Sequence, residues 1–166
     1  MNRKEALMGI ATIAAAAAVP SVVSAQTPEA EPQNPELEPI RALLKAYDVA
    51  FTNQDLNGVM ATLSDKAAIM GSGPGEIWSG ADEIKAAHQH FFEGFDARQQ
   101  GFDYEFNIGQ VTGDTAWMLT SGNVTATKGG KEFTFPVNIS LTAIKQGGKW
   151  LIAAMHFSIV TDEPEE

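Results

Sequence analysis

The chain has no cysteine among its 166 residues and only 11 Lys and Arg against 21 Asp and Glu. Without cysteine there is no disulfide, no thiol nucleophile and no cysteine-based metal site. The shortage of basic residues gives a formal net charge of −10. A surface this acidic repels phosphate backbones and anionic lipid headgroups. We therefore expect the protein to bind neither nucleic acid nor a membrane surface.

The chain also lacks a hydrophobic run long enough to span a bilayer, because the apolar stretch 6–19 is shorter than the ~20 residues that a span requires. A short basic start at Asn2-Arg3-Lys4 precedes this stretch, and Val23-Ser24-Ala25 follows it. This layout is typical of a secretory signal peptide cleaved after Ala25. The alternative, a membrane anchor, is disfavoured by the length of the run. The sequence predicts a soluble periplasmic or secreted protein that leaves the membrane after cleavage.

Composition divides the chain into four parts. Residues 1–25 are the predicted signal peptide, and residues 26–36 are a spacer rich in Pro and Glu. Residues 37–161 are the predicted folded domain, and residues 162–166 form an acidic tail. The domain is long enough to bury a core of its own.

Within the domain, helical patterns come first and strand patterns follow. Apolar residues at positions 37, 40, 44, 47 and 51 predict a helix, and Asp55 is placed to cap a second, shorter one. Two brief strands, 67–70 and 77–78, precede a third helix, for which Ser79-Gly-Ala-Asp82 resembles a capping box. From Gly101 onward apolar residues alternate with polar ones, which predicts a four-stranded antiparallel meander. The fold class is therefore α+β, with helices packed on one face of a sheet.

The segment GSGPGEIWSG, residues 71–80, is dense in glycine, as phosphate-binding loops are. A phosphate loop needs a Lys followed by Ser or Thr after its last glycine, and a dinucleotide loop needs a third glycine at a fixed spacing. Neither is present here. We interpret the segment as a turn that joins the two short strands and leads into the third helix.

Three motifs carry a family resemblance: SGPGEIWSGADEI, VTGDTAW and GGKWLIAAMHFS. Together with the order of elements, they resemble the SnoaL-like branch of the nuclear-transport-factor-2-like superfamily. The resemblance implies a cone-shaped fold in which three N-terminal helices pack on a curved antiparallel sheet around a pocket. Members of this superfamily include isomerases, dehydratases, cyclases, binding proteins and scaffolds. Close relatives often carry an Arg-x-Thr pair where this chain has Asn138-Ile-Ser140, so any role of that arginine is absent.

The hairpin loops set the predicted strand register. If Gly147-Gly148 is a two-residue loop, Ile139 lies opposite His156 and Val137 lies opposite Ser158, because Gln146 then pairs with Lys149. His156 and Ser158 would then face the interior. At the 112–114 turn, a three-residue loop would direct Tyr104, Phe106 and Ile108 inward, whereas a two-residue loop would direct Asp103, Glu105 and Asn107 inward. We expect the three-residue loop.

His156 is the predicted catalytic residue, because a buried imidazole near hydroxyl groups can act as a general acid or base. A purely structural role for this histidine is the alternative. The residues expected to line the pocket are Tyr47, Asp48, Trp78, His88, Tyr104, Thr120 and Ser158. No metal or cofactor is expected: His88 and His90 are two apart on a helix and point in different directions.

Three functions remain open from the sequence. The first is an exported domain that binds a small, mainly apolar molecule, and the second is an isomerase or lyase that uses His156 as its acid/base. The third is a dimeric interaction module. A homodimer is expected through the outer sheet face, because that face would otherwise expose a large apolar patch. The residues predicted on it are Trp117, Leu119, Leu151, Ala153, Met155, Phe157 and Ile159, interleaved with Asn138, Ser140 and Thr142.

Overall fold

The computed structural model describes residues 34–159. The predicted signal peptide 1–25, most of the spacer 26–36 and the tail 162–166 lie outside this range, and remain predictions. No helix within the described range is long and apolar enough to cross a membrane. A 3-10 turn, Pro35–Leu37, opens the described region, and the helices and strands follow in this order: α1 Glu38–Thr52, α2 Leu56–Ala61, β1 Leu63–Met70, β2 Ile77–Ser79, α3 Gly80–Phe92, β3 Gly101–Thr112, β4 Thr115–Lys128, β5 Lys131–Gln146 and β6 Lys149–Ile159.

The three helices form where the apolar periodicity predicts them. Helix α2 begins as expected at Asp55, whose carboxylate accepts a hydrogen bond of 3.0 Å from the N–H of Gly58. The predicted capping box of α3 is wrong in its partners. The Ser79 hydroxyl makes no cap bond, and Glu83, not Asp82, reaches back to the Ser79 N–H at 2.8 Å.

The glycine-rich segment is a turn, as expected. The N–H of Gly71 bonds to the carbonyl of Glu76 at 2.8 Å, and the Glu76 carboxylate accepts from the N–H of Gly73 at 2.7 Å. Strands β1 and β2 then pair antiparallel, with Met70 opposite Ile77. The backbone N–H of Gly73 is therefore occupied by the chain's own carboxylate, consistent with the absence of a phosphate loop.

All six strands belong to one sheet in the order β2-β1-β6-β5-β4-β3. Strands β3 to β6 form the predicted antiparallel meander. The sheet as a whole is not antiparallel, because β1 pairs parallel with β6. The three helices precede β3 in the chain, but β1 and β2 lie between α2 and α3 and join the same sheet. The predicted arrangement of three helices on an antiparallel sheet does not include these two strands in the sheet.

The core lies between the helices and the inner face of this sheet. It is built from aliphatic side chains of the three helices, β1 and the meander, many of them almost inaccessible to water; Ile40, Val59, Ile69, Ile84, Met118 and Ile152 are among these. A buried side chain of this size contributes about 1.5–3 kcal/mol relative to an exposed one. The core thus fixes α1 against the sheet, and α1 carries the candidate site.

Two β-bulges change the predicted register. In β6, Ile152 pairs with Ala143 but Ala154 pairs with Thr142, so Ala153 is an extra residue. Every later residue of β6 consequently points to the face opposite the one predicted for it. His156 lies opposite Ser140 on the outer face, and the prediction that His156 and Ser158 face the interior is wrong.

The second bulge lies in β3. Thr112 pairs with Thr115, which makes the loop two residues long and not three. Asn107 therefore pairs with Thr120 and faces inward, as a two-residue loop requires, whereas Ile108 faces outward. Glu105 is the extra residue, and beyond it the parity reverses so that Tyr104 faces inward as expected.

The outer face of the sheet differs from the prediction in three of its seven apolar residues. Met155, Phe157 and Ile159 face inward because of the β6 bulge. Trp117 and Leu119 do lie on the outer face, 42% and 44% exposed. One row of laterally paired residues crosses this face from edge to edge, and we call it the outer row: Ile77, Met70, His156, Ser140, Leu119 and Ile108.

Candidate functional site

Two adjacent residues of α1 point into different cavities. Tyr47 and Asp48 are both buried, and successive residues of an α-helix are turned by about 100° from each other. Tyr47 consequently lines a cavity on the α3 side of α1, and Asp48 lines a cleft on the β3 side. Helix α1 thus separates two spaces of different chemical character.

The cleft between α1 and the strands β3 and β4, here called the α1–β3 cleft, has a volume of about 560 Å³. This is within the range of about 300–1,000 Å³ typical of small-molecule sites. Leu44, Phe102 and Met118 supply apolar wall. Polar side chains converge from α1, from β3 and β4, and from the segment before β3; they are Lys45, Asp48, Gln100, Tyr104, Asn107 and Thr120.

Asp48 is the central polar group of the cleft. Its side chain is part of a residue only 7% exposed, and its Oδ2 accepts a hydrogen bond of 2.9 Å from the Tyr104 hydroxyl. Its Oδ1 is buried and has no hydrogen-bond partner among the described residues. Buried polar atoms are nearly always paired. Because Asp48 also lines the cleft, this oxygen is a candidate contact for a ligand.

Burial raises the pKa of Asp48 to about 7, although the Tyr104 hydrogen bond lowers it in part. Burial also raises the pKa of Tyr104, with a further contribution from the neighbouring Asp48 charge. Tyr104 therefore stays protonated and acts only as a donor to Asp48. Asp48 in contrast exists in both protonation states near neutral pH, which suits a general acid or base.

On the other side of α1, Tyr47 and His88 form a buried pair. The Tyr47 Oη lies 2.7 Å from His88 Nε2, and His88 Nδ1 lies 2.8 Å from the carbonyl oxygen of Ile84. A carbonyl only accepts, so Nδ1 carries the proton and Nε2 of the neutral ring accepts from the Tyr47 hydroxyl. Burial lowers the pKa of His88, which favours the neutral ring. The pair satisfies both polar groups in the core.

A second space, here called the inner cavity, has a volume of about 180 Å³. Aromatic side chains from α1, α3, the segment after α3 and the sheet dominate its wall; they are Tyr47, Phe51, Phe91, Phe95, Phe102, Phe135 and Phe157. Phe102 and Gln100 line both the inner cavity and the α1–β3 cleft. The two spaces are thus neighbours separated by these side chains.

The segment 93–100 between α3 and β3 is fastened at several points. The Asp96 carboxylate accepts from the N–H groups of Gly129 and Gly130 at 3.1 Å and 2.9 Å. The Gln54 amide donates to the carbonyls of Phe92 and Phe95 at 2.9 Å and 3.0 Å. These bonds fix Phe95 and Gln100 as wall residues of the two spaces.

The structure distributes the predicted pocket residues over both spaces. Asp48, Tyr104 and Thr120 meet in the α1–β3 cleft, and Tyr47 lines the inner cavity. His88 is buried behind Tyr47. Trp78 packs edge-on against Phe91, with ring centroids 5.3 Å apart, and lines neither space. Three of the predicted pocket residues therefore line one cleft, Tyr47 lines the other space, and Trp78 and His88 line neither.

His156 and Ser158 belong to neither space. They pair with Ser140 and Asn138 on the outer face, so the geometric basis for an interior catalytic histidine is lost. The sequence gives no signal of the bulge, because the large apolar residues Leu151, Met155, Phe157 and Ile159 fall on alternate positions without a break; burial in the structure shows it. Ile152 and Met155 are both buried but three apart, and an odd separation on one face requires a bulge.

Sequence reasoning missed several polar residues of the cleft, and Asn107, Lys45 and Gln100 are among them. The expected three-residue loop between β3 and β4 directs Asn107 outward, whereas the observed two-residue loop turns it inward. Lys45 lies on the exposed side of α1, and Gln100 lies in a segment without periodicity, so neither gives a signal in the sequence. Gln100 donates through Nε2 to the carbonyl of Asp96 at 2.8 Å, and its buried Oε1 has no partner within residues 34–159.

Metal ligands do not converge in this part of the chain. Within residues 34–159, no group of three or more His, Cys, Asp and Glu side chains is close enough to hold an ion. The cleft does present groups that can transfer a proton or form hydrogen bonds, Asp48 and Tyr104 among them.

The sequence profile of the SnoaL-like domain matches residues 40–162. No sequence match to a curated protein reaches significance. Among solved structures, a ketosteroid isomerase-like protein from Erwinia carotovora atroseptica is similar, with 26% identity and a TM-score of 0.63. The alignment covers 77% of this chain and 98% of that one.

Two further structures share the fold. A candidate dehydratase of the nuclear-transport-factor-2-like family from Streptomyces avermitilis has 15% identity and a TM-score of 0.68, covering 75% of this chain and 97% of the other. A nuclear-transport-factor-2-like protein of unknown function from Pseudomonas putida has 20% identity and a TM-score of 0.61, with 75% and 87% covered. At these identities the likeness establishes the architecture, and function has to be argued from the site.

Proposed function

Because the chain belongs to the SnoaL-like family of the nuclear-transport-factor-2-like superfamily, we propose that it binds a small molecule in the α1–β3 cleft and transfers a proton through Asp48. The observation that carries this proposal is the Asp48 carboxyl group: buried, anchored at one oxygen by Tyr104, and unpartnered at the other within the described chain. The reaction class is that of an isomerase or dehydratase.

The geometry assigns a role to each group. As a carboxylate, Asp48 accepts a proton at Oδ1 from an acidic C–H or O–H of the ligand. Tyr104 holds the carboxyl group in place through Oδ2 and stabilises its charged form. Once protonated, Asp48 returns the proton to another carbon in an isomerisation, or to a departing hydroxyl group in a dehydration. A pKa of about 7 makes both directions accessible near neutral pH.

Solvent exchange tests this proposal without a known substrate. We expect the protein to catalyse incorporation of deuterium from D₂O into at least one member of a panel of small ketones and ketoacids, measured by NMR. The Asp48→Asn variant should lose this activity by at least about a hundredfold, the lower limit typical of a missing acid/base. Asp65→Asn, at an exposed position of β1, is the matched control and should retain it.

The second measurement is the titration of Asp48 itself, followed by carboxyl ¹³C NMR and assigned by its loss in Asp48→Asn. A midpoint near 7 is expected. A midpoint near 4, or equal exchange rates in the protein and its Asp48→Asn variant, would contradict the proposal.

A second candidate function is the binding of an apolar molecule in the inner cavity. Its support is the aromatic wall and the shared residues Phe102 and Gln100, which make this cavity an extension of the cleft. An apolar group of a ligand held at Asp48 would reach it if Phe102 rotated.

We also propose, from the leader pattern in the sequence, that the domain works outside the cytoplasm.

We further propose that two copies of the chain pair through the outer sheet face. Trp117, Leu119 and Ile108 form an exposed apolar group at one end of the outer row, and Met70 and Ile77 form another at the other end. A twofold axis through the centre of the row, near His156 and Ser140, would place each group against the other in the second copy.

Replacing Trp117 tests the dimer. Trp117→Glu should convert a dimer into a monomer at micromolar concentration in sedimentation velocity, because each copy would bury an unpaired charge. Gln89→Glu, which adds the same charge at an exposed position of α3, should leave the dimer intact. A monomeric parent protein would refute the pairing.

A further inference from the structure

We infer that the ligand of the α1–β3 cleft is a small hydroxycarboxylate, with its hydroxyl hydrogen shared between Asp48 Oδ1 and Gln100 Oε1 in a three-centre bond and its carboxylate bound by Lys45. This inference rests on the proposed function of the cleft and specifies its substrate class. It is supported by two acceptor oxygens and one cation that have no partner within residues 34–159, and by the apolar wall beside them.

The two acceptors are Asp48 Oδ1 and Gln100 Oε1. Both are buried atoms without a hydrogen-bond partner in the described part of the chain, and both residues line the cleft. An unsatisfied buried acceptor costs about 1–3 kcal/mol. A ligand that presents a hydrogen-bond donor at this point recovers that cost, so the cleft selects for a donor group.

The orientation of the Gln100 amide is fixed by its own contact. Its Nε2 donates to the Asp96 carbonyl at 2.8 Å. Rotating the amide by 180° would place Oε1 against that carbonyl, where two acceptors would repel each other. The outward group of Gln100 is therefore the oxygen, and it reinforces the acceptor character set by Asp48.

Lys45 supplies the opposite charge. It lies three residues before Asp48 on α1, on the same helix face, and lines the cleft at an exposed position. It forms no ion pair within residues 34–159. A carboxylate on the ligand is the natural partner for this ammonium group.

Arg41, one turn further along α1, is already engaged. Its guanidinium group contacts the carboxylate of Glu38 at 3.2 Å, the Asn107 Oδ1 at 3.3 Å and the carbonyl of Asn34 at 2.9 Å. Arg41 therefore shapes the end of the cleft and adds positive potential, but it offers no free pair of N–H donors to a ligand carboxylate. Its presence, together with Lys45, disfavours an ammonium group on the ligand and leaves a hydroxyl group as the preferred donor.

The wall sets the size of the ligand. Leu44, Phe102 and Met118 line the cleft together with the polar groups, and its volume of about 560 Å³ accommodates a short chain or a single ring. The suitable ligand carries its hydroxyl and carboxylate a few atoms apart, because Lys45 and Asp48 are separated by about one helical turn, or roughly 5 Å along the axis.

A matched set of probes tests each feature. The probes are 3-hydroxy-3-phenylpropanoate, 3-phenylpropanoate without the hydroxyl, 3-hydroxy-3-phenylpropanamide without the charge, and 3-amino-3-phenylpropanoate with an ammonium group. Binding to the purified full chain is measured by chemical-shift titration, with signals of α1 and β3 as reporters. The hydroxy acid should bind at least tenfold more tightly than each of the other three.

Variants connect the preference to the residues. Lys45→Gln should abolish the preference for the acid over its amide, and Gln100→Leu should reduce the preference for the hydroxy acid over 3-phenylpropanoate. Lys85→Gln, at an exposed position of α3, should change neither. Stronger binding of the amine, equal binding of acid and amide, or failure of the hydroxy acid to shift the reporters would overturn the inference.

These failures are distinct from a failure of the proposed function. If Asp48 titrates near 7 and supports deuterium exchange while the hydroxy acid shows no preference, the acid/base function stands and the substrate class is wrong. If Asp48 titrates near 4, the proposed function itself fails.

Discussion

At pH 8 the Asp48→Asn variant is expected to be more stable than the unsubstituted protein by up to about 4 kcal/mol, at ~1.4 kcal/mol for each unit by which the pKa is raised. Burial raises the pKa of Asp48 from 3.8 in the unfolded chain to about 7 in the folded one. Above pH 7 the folded protein therefore holds a buried negative charge, which lowers the free energy of unfolding. Asparagine has the shape of the protonated carboxyl group, and its amide oxygen still accepts from Tyr104.

The sign of the pH dependence follows from proton binding. Between about pH 4 and pH 7 the folded state keeps a proton on Asp48 that the unfolded state releases, so stability falls as the pH rises through this window. Below pH 4 both states are protonated and the penalty disappears. At pH 4 the difference between the variant and the parent should shrink to less than about 1 kcal/mol.

Urea unfolding at pH 4, 6 and 8 measures this difference. Asp65→Asn, again the control, should show no comparable divergence with pH. If Asp48→Asn destabilises the protein equally at all three values, Asp48 is an ordinary structural carboxylate. A gain of stability with a loss of exchange activity would show that the charge is kept for function at the expense of folding.

The Gly122→Ala substitution is expected to destabilise the protein by about 1–3 kcal/mol or more, as overpacking does. Gly122 pairs with Tyr104 beside the β3 bulge. A Cβ atom added to it would clash with the carbonyl oxygen of Asp103 and lie 2.7 Å from the Cα of Tyr104. Both contacts are with backbone, so the bulge itself would have to move.

Movement of the bulge would also affect the site. Tyr104 would shift away from Asp48, whose pKa would rise further because the Tyr104 hydrogen bond lowers it. Urea unfolding and the carboxyl titration of the variant measure the two effects together. Gly101→Ala is the control, since a Cβ atom there meets nothing within 4 Å. Unchanged stability in Gly122→Ala would mean that the bulge tolerates a wider strand separation.

The elements that the sequence predicts well are those set by local chemistry. The stripe that includes Leu37, Ile40 and Tyr47 places α1, and glycine pairs place the β4–β5 and β5–β6 loops at the correct residues. The β3–β4 loop is predicted one residue too long, because Thr112 reads as part of the turn, whereas it pairs with Thr115.

The face assignments failed where a single residue breaks the alternation. When faces are assigned by counting from a loop, every residue depends on the count before it. The single bulge at Ala153 therefore moves both His156 and Ser158 to the outer face. Tyr104 was placed correctly only because two errors cancelled: the loop is one residue shorter than expected, and the bulge at Glu105 restores the parity. Asp48 was predicted at the edge of the helical stripe, but its partnership with Tyr104 depends on that bulge and is a property of the assembled sheet.

The parallel pairing of β1 with β6 has a consequence for the order in which the chain can fold. Strand β6 is the last to be synthesised, yet it lies between β1 and β5 in the sheet. The hairpin of β1 and β2, made early, therefore has no place in the sheet until residues 149–159 have left the ribosome. Such a long-range pairing delays closure of the fold, so the early hairpin waits without its neighbour in the sheet while the rest of the chain is made.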